Sequence, residues 1–100
     1  MIIVTGYVYL PPAELTPFLD DLAALTNITR QRTGNISYDT AVIDLPSGKL
    51  LITERWADQA ALSNHLKAPD TGAFINKWGN HMQSDVQKYD GLNERDLMEN

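Results

Sequence analysis

The strands of this chain are apolar on both faces, and no other feature limits its fold so much. In Ile2–Leu10, Ile3 and Tyr7 alternate with Val4 and Val8; in Leu50–Trp56, Leu51 alternates with Leu50 and Ile52. A sheet with one wet face would show clean polar alternation instead. Both sides of these strands therefore need cover, and what can supply it depends on the elements around them.

Ile2–Leu10 reads as a strand rich in Ile, Val, Thr and Tyr, stopped by Pro11-Pro12. Leu15, Phe18, Leu19, Leu22, Leu25 and Ile28 then form one helical stripe. Pro12 suits a first turn, while Pro17 fits poorly inside a helix and allows a second start capped by Thr16. Arg30 and Arg32 in a last turn, with Gly34 beyond, make a good helix end. Ile36–Asp44 and Leu50–Trp56 flank Leu45-Pro46-Ser47-Gly48-Lys49, a hairpin turn. Asp58 caps a short helix through Leu66; Pro69 breaks it, and Asp70 or Thr71 caps a second piece through Phe74, Trp78 and Met82. Asp85–Tyr89 is the last strand, and 91–100 a polar arm in a single domain of 1–100. The order β-α-β-β-α-β is an α+β, ferredoxin-like arrangement with an antiparallel sheet. Its helices cover one face of that sheet only. The other face must meet something, and a twofold pairing of two copies, a homodimer, satisfies it.

Charge and composition remove several function classes. A formal net charge of −5 with scattered Lys and Arg argues against nucleic acid and against an anionic membrane surface. Zero Cys excludes disulfides, thiolate nucleophiles and thiolate-held metals. The first ten residues lack a basic leader and are too short to span a bilayer, which points to a cytoplasmic protein. The glycines are isolated, so no phosphate-cradling loop or dinucleotide fingerprint exists, and no Gly-x-Ser-x-Gly elbow is present. Two distant histidines without an HExxH motif leave no dedicated metal site.

The residues suited to chemistry concentrate in Thr53–Leu66. His65 lies at the edge of the helical stripe of Ala61 and Leu62, either as a general base near neutral pH or as a boundary histidine on a backbone carbonyl. Asn64 beside it either orients a substrate hydroxyl or faces water. Trp56 either lines an aromatic pocket or fills the core. Glu54 shares its face with apolar residues and needs a partner. An ion pair with Arg32 or Arg55 is the expected one, the alternative being a carboxylate of raised pKa in a pocket. Tyr7 and Tyr38 are strand phenols able to hold a ligand hydroxyl. Trp78 and His81 follow Phe74 on a stripe that reads as core.

Glu54-Arg55-Trp56, the alanine–leucine pair after the Asp58 cap, and His65-Leu66 followed by Pro69 resemble the central signature of the antibiotic biosynthesis monooxygenase family, quinol monooxygenases included. The resemblance implies a dimeric α+β barrel and a cofactor-independent oxygenase acting on a small aromatic quinol or phenol with O₂. In that reading His65 and Asn64 are catalytic, and Trp56, Tyr7, Tyr38, Glu54 and Trp78 hold the substrate. A non-catalytic module binding small aromatics, or one associated with stress, is the alternative, and a polyketide-type cyclase or isomerase would need only the same base and cavity. Relatives of this fold that degrade haem carry a helix histidine ligand with a nearby Trp and Asn. Here His65 stands where that Trp should be, and Phe74 and Ile75 where the ligand should fall, so the haem motif is not met. A ligand site would show as a cavity of roughly 300 Å³ or more beside His65.

Overall fold

Residues 1–100 are all described in the computed structural model, and its framework is one four-stranded sheet. Strand β1 (Ile2–Tyr9) is followed by a 3₁₀ turn (Pro12–Glu14), helix α1 (Leu15–Thr29), strands β2 (Asn35–Asp44) and β3 (Lys49–Trp56), helices α2 (Gln59–Lys67) and α3 (Pro69–Trp78), and strand β4 (Gln83–Asp90). The strand order is β2-β3-β1-β4, with every neighbouring pair antiparallel. This is the ferredoxin-like β-α-β-β-α-β arrangement.

Several boundaries depart from the sequence reading for local physical reasons. Pro17 lies in the first turn of α1, where backbone N–H groups have no intrahelical partner and a missing one costs little. No second start capped by Thr16 is therefore needed. Arg30 is the C-cap of α1 and Arg32 lies beyond it, which frees Arg32 to reach elsewhere. Pro69 begins α3 rather than only ending α2: it occupies the first turn, and Ala68 in extended conformation is the N-cap. Neither Asp70 nor Thr71 caps that helix. Asp58 does cap α2, its Oδ1 accepting the Ala61 N–H at 2.8 Å.

Side-chain alternation sorts the sheet into two faces. Ile2, Val8 and Leu10 around β1, and Leu50, Glu54 and Trp56 on β3, are buried under the helices. The buried side chains form two clusters. One joins Val8, Leu10 and Leu50 to Leu15, Phe18 and Leu22 of α1 and Trp78 of α3. The other joins Ile2, Tyr38, Trp56 and Leu62 of α2. The opposite face carries Ile3, Thr5, Tyr7 and Tyr9 of β1 beside Leu51, Thr53 and Arg55 of β3, and no helix of the chain covers it. No helix is long and apolar enough to cross a membrane.

One glycine sets how α2 sits. Gly34 has φ 84°, and a Cβ there would lie 2.4 Å from the Ala61 Cβ, inside contact distance. Its carbonyl accepts the Ala57 N–H at 2.8 Å. The α1–β2 connection and the start of α2 are thereby clamped together.

Candidate active site

Between the two core clusters the helices stand off the sheet and leave a cavity of about 230 Å³. Val4, Val8, Ile52 and Val86 line it from the sheet, Phe18, Leu22 and Leu25 from α1, and Leu66, Phe74 and Ile75 from α2 and α3. Gly6, between Val4 and Val8, brings no side chain to this face. The polar groups on the wall are Tyr38, Glu54, His65, Thr71 and Ser84. The volume is smaller than the 300 Å³ set for a ligand site. A dry apolar cavity of about 150 Å³ accepts benzene, so this one has room for a substituted ring or a small fused pair.

Strand register brings the site together. Tyr38 on β2 is directly opposite Glu54 on β3. Trp56, two residues along the same face, donates its Nε1–H to Glu54 Oε1 at 3.0 Å. The imidazole of His65 stacks on the Trp56 indole, with centroids 4.9 Å apart and planes at 27°, and meets the Tyr38 ring edge-on at 5.9 Å. Trp56 is 0% exposed and is not on the cavity wall; it supports Glu54 and His65 from behind.

A polar network then holds His65 from its other side. Arg32 NH1 lies 2.6 Å from His65 Nδ1 and donates to Thr71 Oγ1 at 3.1 Å. Arg32 NH2 pairs with Asp70 Oδ1, which also accepts the Thr71 N–H at 2.9 Å. Burial, and secondly the Arg32 charge, push the His65 pKa down from 6.5 to about 4, against the opposing pull of Asp70. Burial raises the Glu54 pKa, partly offset by the Trp56 hydrogen bond. Burial also raises that of Tyr38, with the Glu54 charge adding to it, which keeps the phenol protonated. Burial works against ionisation of Asp70, but hydrogen bonds from Arg32 and Thr71 hold its pKa below the usual carboxylate value.

Of the sequence candidates, Glu54, Tyr38 and His65 share the cavity. Asn64 does not: it is exposed, because one residue step turns a helix by about 100° and carries it off the inward face. Tyr7 is on the uncovered side of the sheet, with Lys49 Nζ 4.1 Å above its ring. Trp78 is core, its Nε1–H donated to Asp21 Oδ2 at 2.9 Å. The expected ion pair of Glu54 is absent. Arg32 is taken by Asp70, and Arg55, on the opposite face, reaches Ser37 and Glu94. Glu54 is therefore a buried carboxylate without a cation. His81 meets Glu14 at 3.0 Å near the surface, away from the cavity. Where a haem-ligating histidine would fall stand Phe74, which packs against Phe18 at 5.4 Å, and Ile75, both on the cavity wall. Arg32 and Thr71 are the members that sequence reasoning missed; at 33 and 6 residues from His65, neither falls on its helical stripe. A surface groove of about 310 Å³ between α1 and α3 is a weaker candidate, since its charges are already paired, Asp21 with Lys77 at 2.7 Å and Asp70 with Arg32.

Residues 1–77 match the family model of antibiotic biosynthesis monooxygenase, more than three quarters of the chain. The chain belongs to the antibiotic biosynthesis monooxygenase family. It is 26% identical over 77 residues to YcnE of Bacillus subtilis (strain 168), a protein proposed to be a monooxygenase, covering 77% of this chain and 81% of that one. Among solved structures, a Deinococcus radiodurans protein proposed as an antibiotic biosynthesis monooxygenase superposes with TM-score 0.86 at 22% identity, covering 99% of this chain and 100% of the other. Rv0793 from Mycobacterium tuberculosis superposes at 0.77 and 22% identity, covering 94% and 98%. These structural likenesses establish the fold of the family.

Proposed function

We propose that this family member is a cofactor-independent monooxygenase oxidising a small quinol or related phenol with O₂. The observation that carries the reading is the apolar cavity into which Tyr38, Glu54 and His65 alone bring strongly titratable groups. An electron-rich phenol needs little else. Once its hydroxyl proton is removed, the phenolate can pass electrons to O₂ directly. One oxygen atom ends on a ring carbon as a quinone carbonyl and the other leaves as water. All four electrons come from the substrate, so no external reductant is required. The protein's part is to accept the proton, to donate hydrogen bonds to the oxyanion and to keep the chamber dry. Family membership supports the oxygenase class, and the cavity volume supports a substrate of one or two rings.

The same reading includes a homodimer closed through the uncovered face of the sheet. Oxygen uptake with a panel of hydroxylated benzenes and naphthalenes tests the chemistry. The wild type is expected to form one quinone per O₂ consumed, and His65→Ala to be slower by about 10²-fold or more. Equal turnover by both proteins would remove His65 from the reaction. Tight binding of the panel without oxygen uptake would make the chain a binding module.

A further inference from the structure

We infer that Glu54 takes the substrate's hydroxyl proton, while His65 acts as a neutral hydrogen-bond donor whose orientation Arg32 fixes. The inference rests on the cavity being the substrate site, and it assigns the roles inside it. A guanidinium has only donors, so Arg32 NH1, 2.6 Å from Nδ1 of His65, gives that nitrogen a proton to accept. The lone pair of Nδ1 is thus engaged, and the ring's own proton must be on Nε2. The hydrogen bonds of this imidazole both fall on Nδ1, from Arg32 and from Thr71 at 3.4 Å, which leaves Nε2–H without a protein partner on a residue that lines the cavity. A base needs a free lone pair, and His65 offers a donor.

Glu54 has the complementary arrangement. Trp56 occupies Oε1, and no cation pairs with the carboxylate. It is 8% exposed and faces apolar wall. Taking a proton relieves a poorly solvated charge, so burial makes this carboxylate more basic than one in water. The groups that face the cavity with it are Tyr38 from β2, His65 from α2, Thr71 from α3 and Ser84 from β4; Arg32 and Asp70, behind His65, pair with each other, and Lys88 of β4 donates to Gln59. In the step, the substrate O–H bond breaks and its electron pair stays on oxygen. The proton passes to the free oxygen of Glu54, and His65 Nε2–H hydrogen-bonds to the new oxyanion without giving up its proton. The substrate class follows: a neutral hydroxyarene that carries its proton in, with carboxylated or sulfonated analogues rejected by the Glu54 charge.

The probe is 4-nitrophenol, whose visible absorption separates the neutral from the ionised form and whose binding requires no oxygen chemistry. Above the dye's own pKa, Glu54→Gln should bind the phenolate about tenfold tighter than wild type, because a carboxamide imitates the protonated acid and removes a like charge. The same variant should oxidise 1-naphthol about 10²–10⁴-fold more slowly. His65→Gln should lose affinity for the phenolate. Nitrogen NMR of the wild type should show Nε2 protonated and Nδ1 bare throughout the neutral range. A Glu54→Gln protein with wild-type dye affinity and wild-type turnover would overturn the assignment, as would a protonated Nδ1. A wild type that binds the dye with the expected Glu54→Gln effect but oxidises nothing would uphold the assignment and refute only the oxygenase reading. A wild type that binds no dye would refute both.

Discussion

An imidazole buried against a guanidinium resists protonation, and that resistance reappears as a pH dependence of folding. In the unfolded chain His65 takes its proton near 6.5; in the folded protein it does so only at about 4. Between those values the unfolded state binds more protons, so the contribution of His65 is full above 6.5 and is lost as pH falls to about 4. The unfolding free energies of wild type and His65→Gln, taken from urea titrations, should therefore converge as the solution is acidified, by at most about 3 kcal/mol. A difference that does not change with pH would mean that the fold does not depress the imidazole's pKa, whose larger cause is burial and whose second is the Arg32 charge. Glu54 acts with the opposite sign. Its raised pKa makes the native state favour the acid, so its contribution is present below the ordinary carboxylate value and fades as pH rises through the folded one. Glu54→Gln should be more stable than wild type at neutral pH and lose that advantage in acid, the pattern expected where function holds a residue against stability. How much of this was legible in the sequence varies by residue. Glu54 among apolar neighbours already signalled an unusual carboxylate, but not that both candidate arginines would be elsewhere. His65 stood out by its edge position on the helix. Asn64 misled because adjacency along a helix is not adjacency in space, and Tyr7 because a strand phenol does not reveal which face of the sheet is open.

Among the elements, α2 carries the most consequence for the site, since it is nine residues long and has to present one imidazole accurately. Two features anchor its start. Asp58→Ala removes the cap on the Ala61 N–H and should cost about 1 kcal/mol, seen as a Tm lower by about 4–8 °C. Gly34→Ala should cost more, because the residue has φ 84° and a new methyl would meet Ala61 at 2.4 Å. It should also disturb His65, since the same connection carries Arg32; a changed imidazole signal by nitrogen NMR would reveal this, whereas Asp58→Ala should leave the imidazole's tautomer unchanged. A Gly34→Ala protein as stable as wild type would show that the clamp is not tight. All four strands and the helical segments were readable from period and turn chemistry. Their ends were less so, because proline serves equally as a stop and as a first-turn residue, and which it does depends on what packs next to it. Pro17 lies in the first turn of α1 and needs no second start, while Pro69 does separate two helices but serves as the first residue of the second.

For the whole molecule, the apolar two-faced strands announced that the sheet needs a second cover, and the fold leaves that face without a helix. Four strands of this length offer roughly 500 Å² a side (about 26 Å by 19 Å), whereas a stable interface takes about 800 Å² from each partner. The sheet alone is therefore too small to hold two copies firmly. The chain has other apolar surface to add: Leu92, Leu97 and Met98 in the C-terminal arm are 80%, 94% and 90% exposed. If two sheets pair and the arms complete the contact, Leu51→Lys, which puts a charge beside Tyr7 on the uncovered face, should halve the mass seen by sedimentation at micromolar concentration. Circular dichroism should be unchanged, since Leu51 does not belong to either core cluster. Removing residues 91–100 should weaken the pair more mildly, giving a dimer whose Tm falls on dilution. A wild type that sediments as a single subunit at every concentration would disprove the pairing. The cavity beside Glu54 and His65 would stand unaffected, because its walls come from the covered face of one chain.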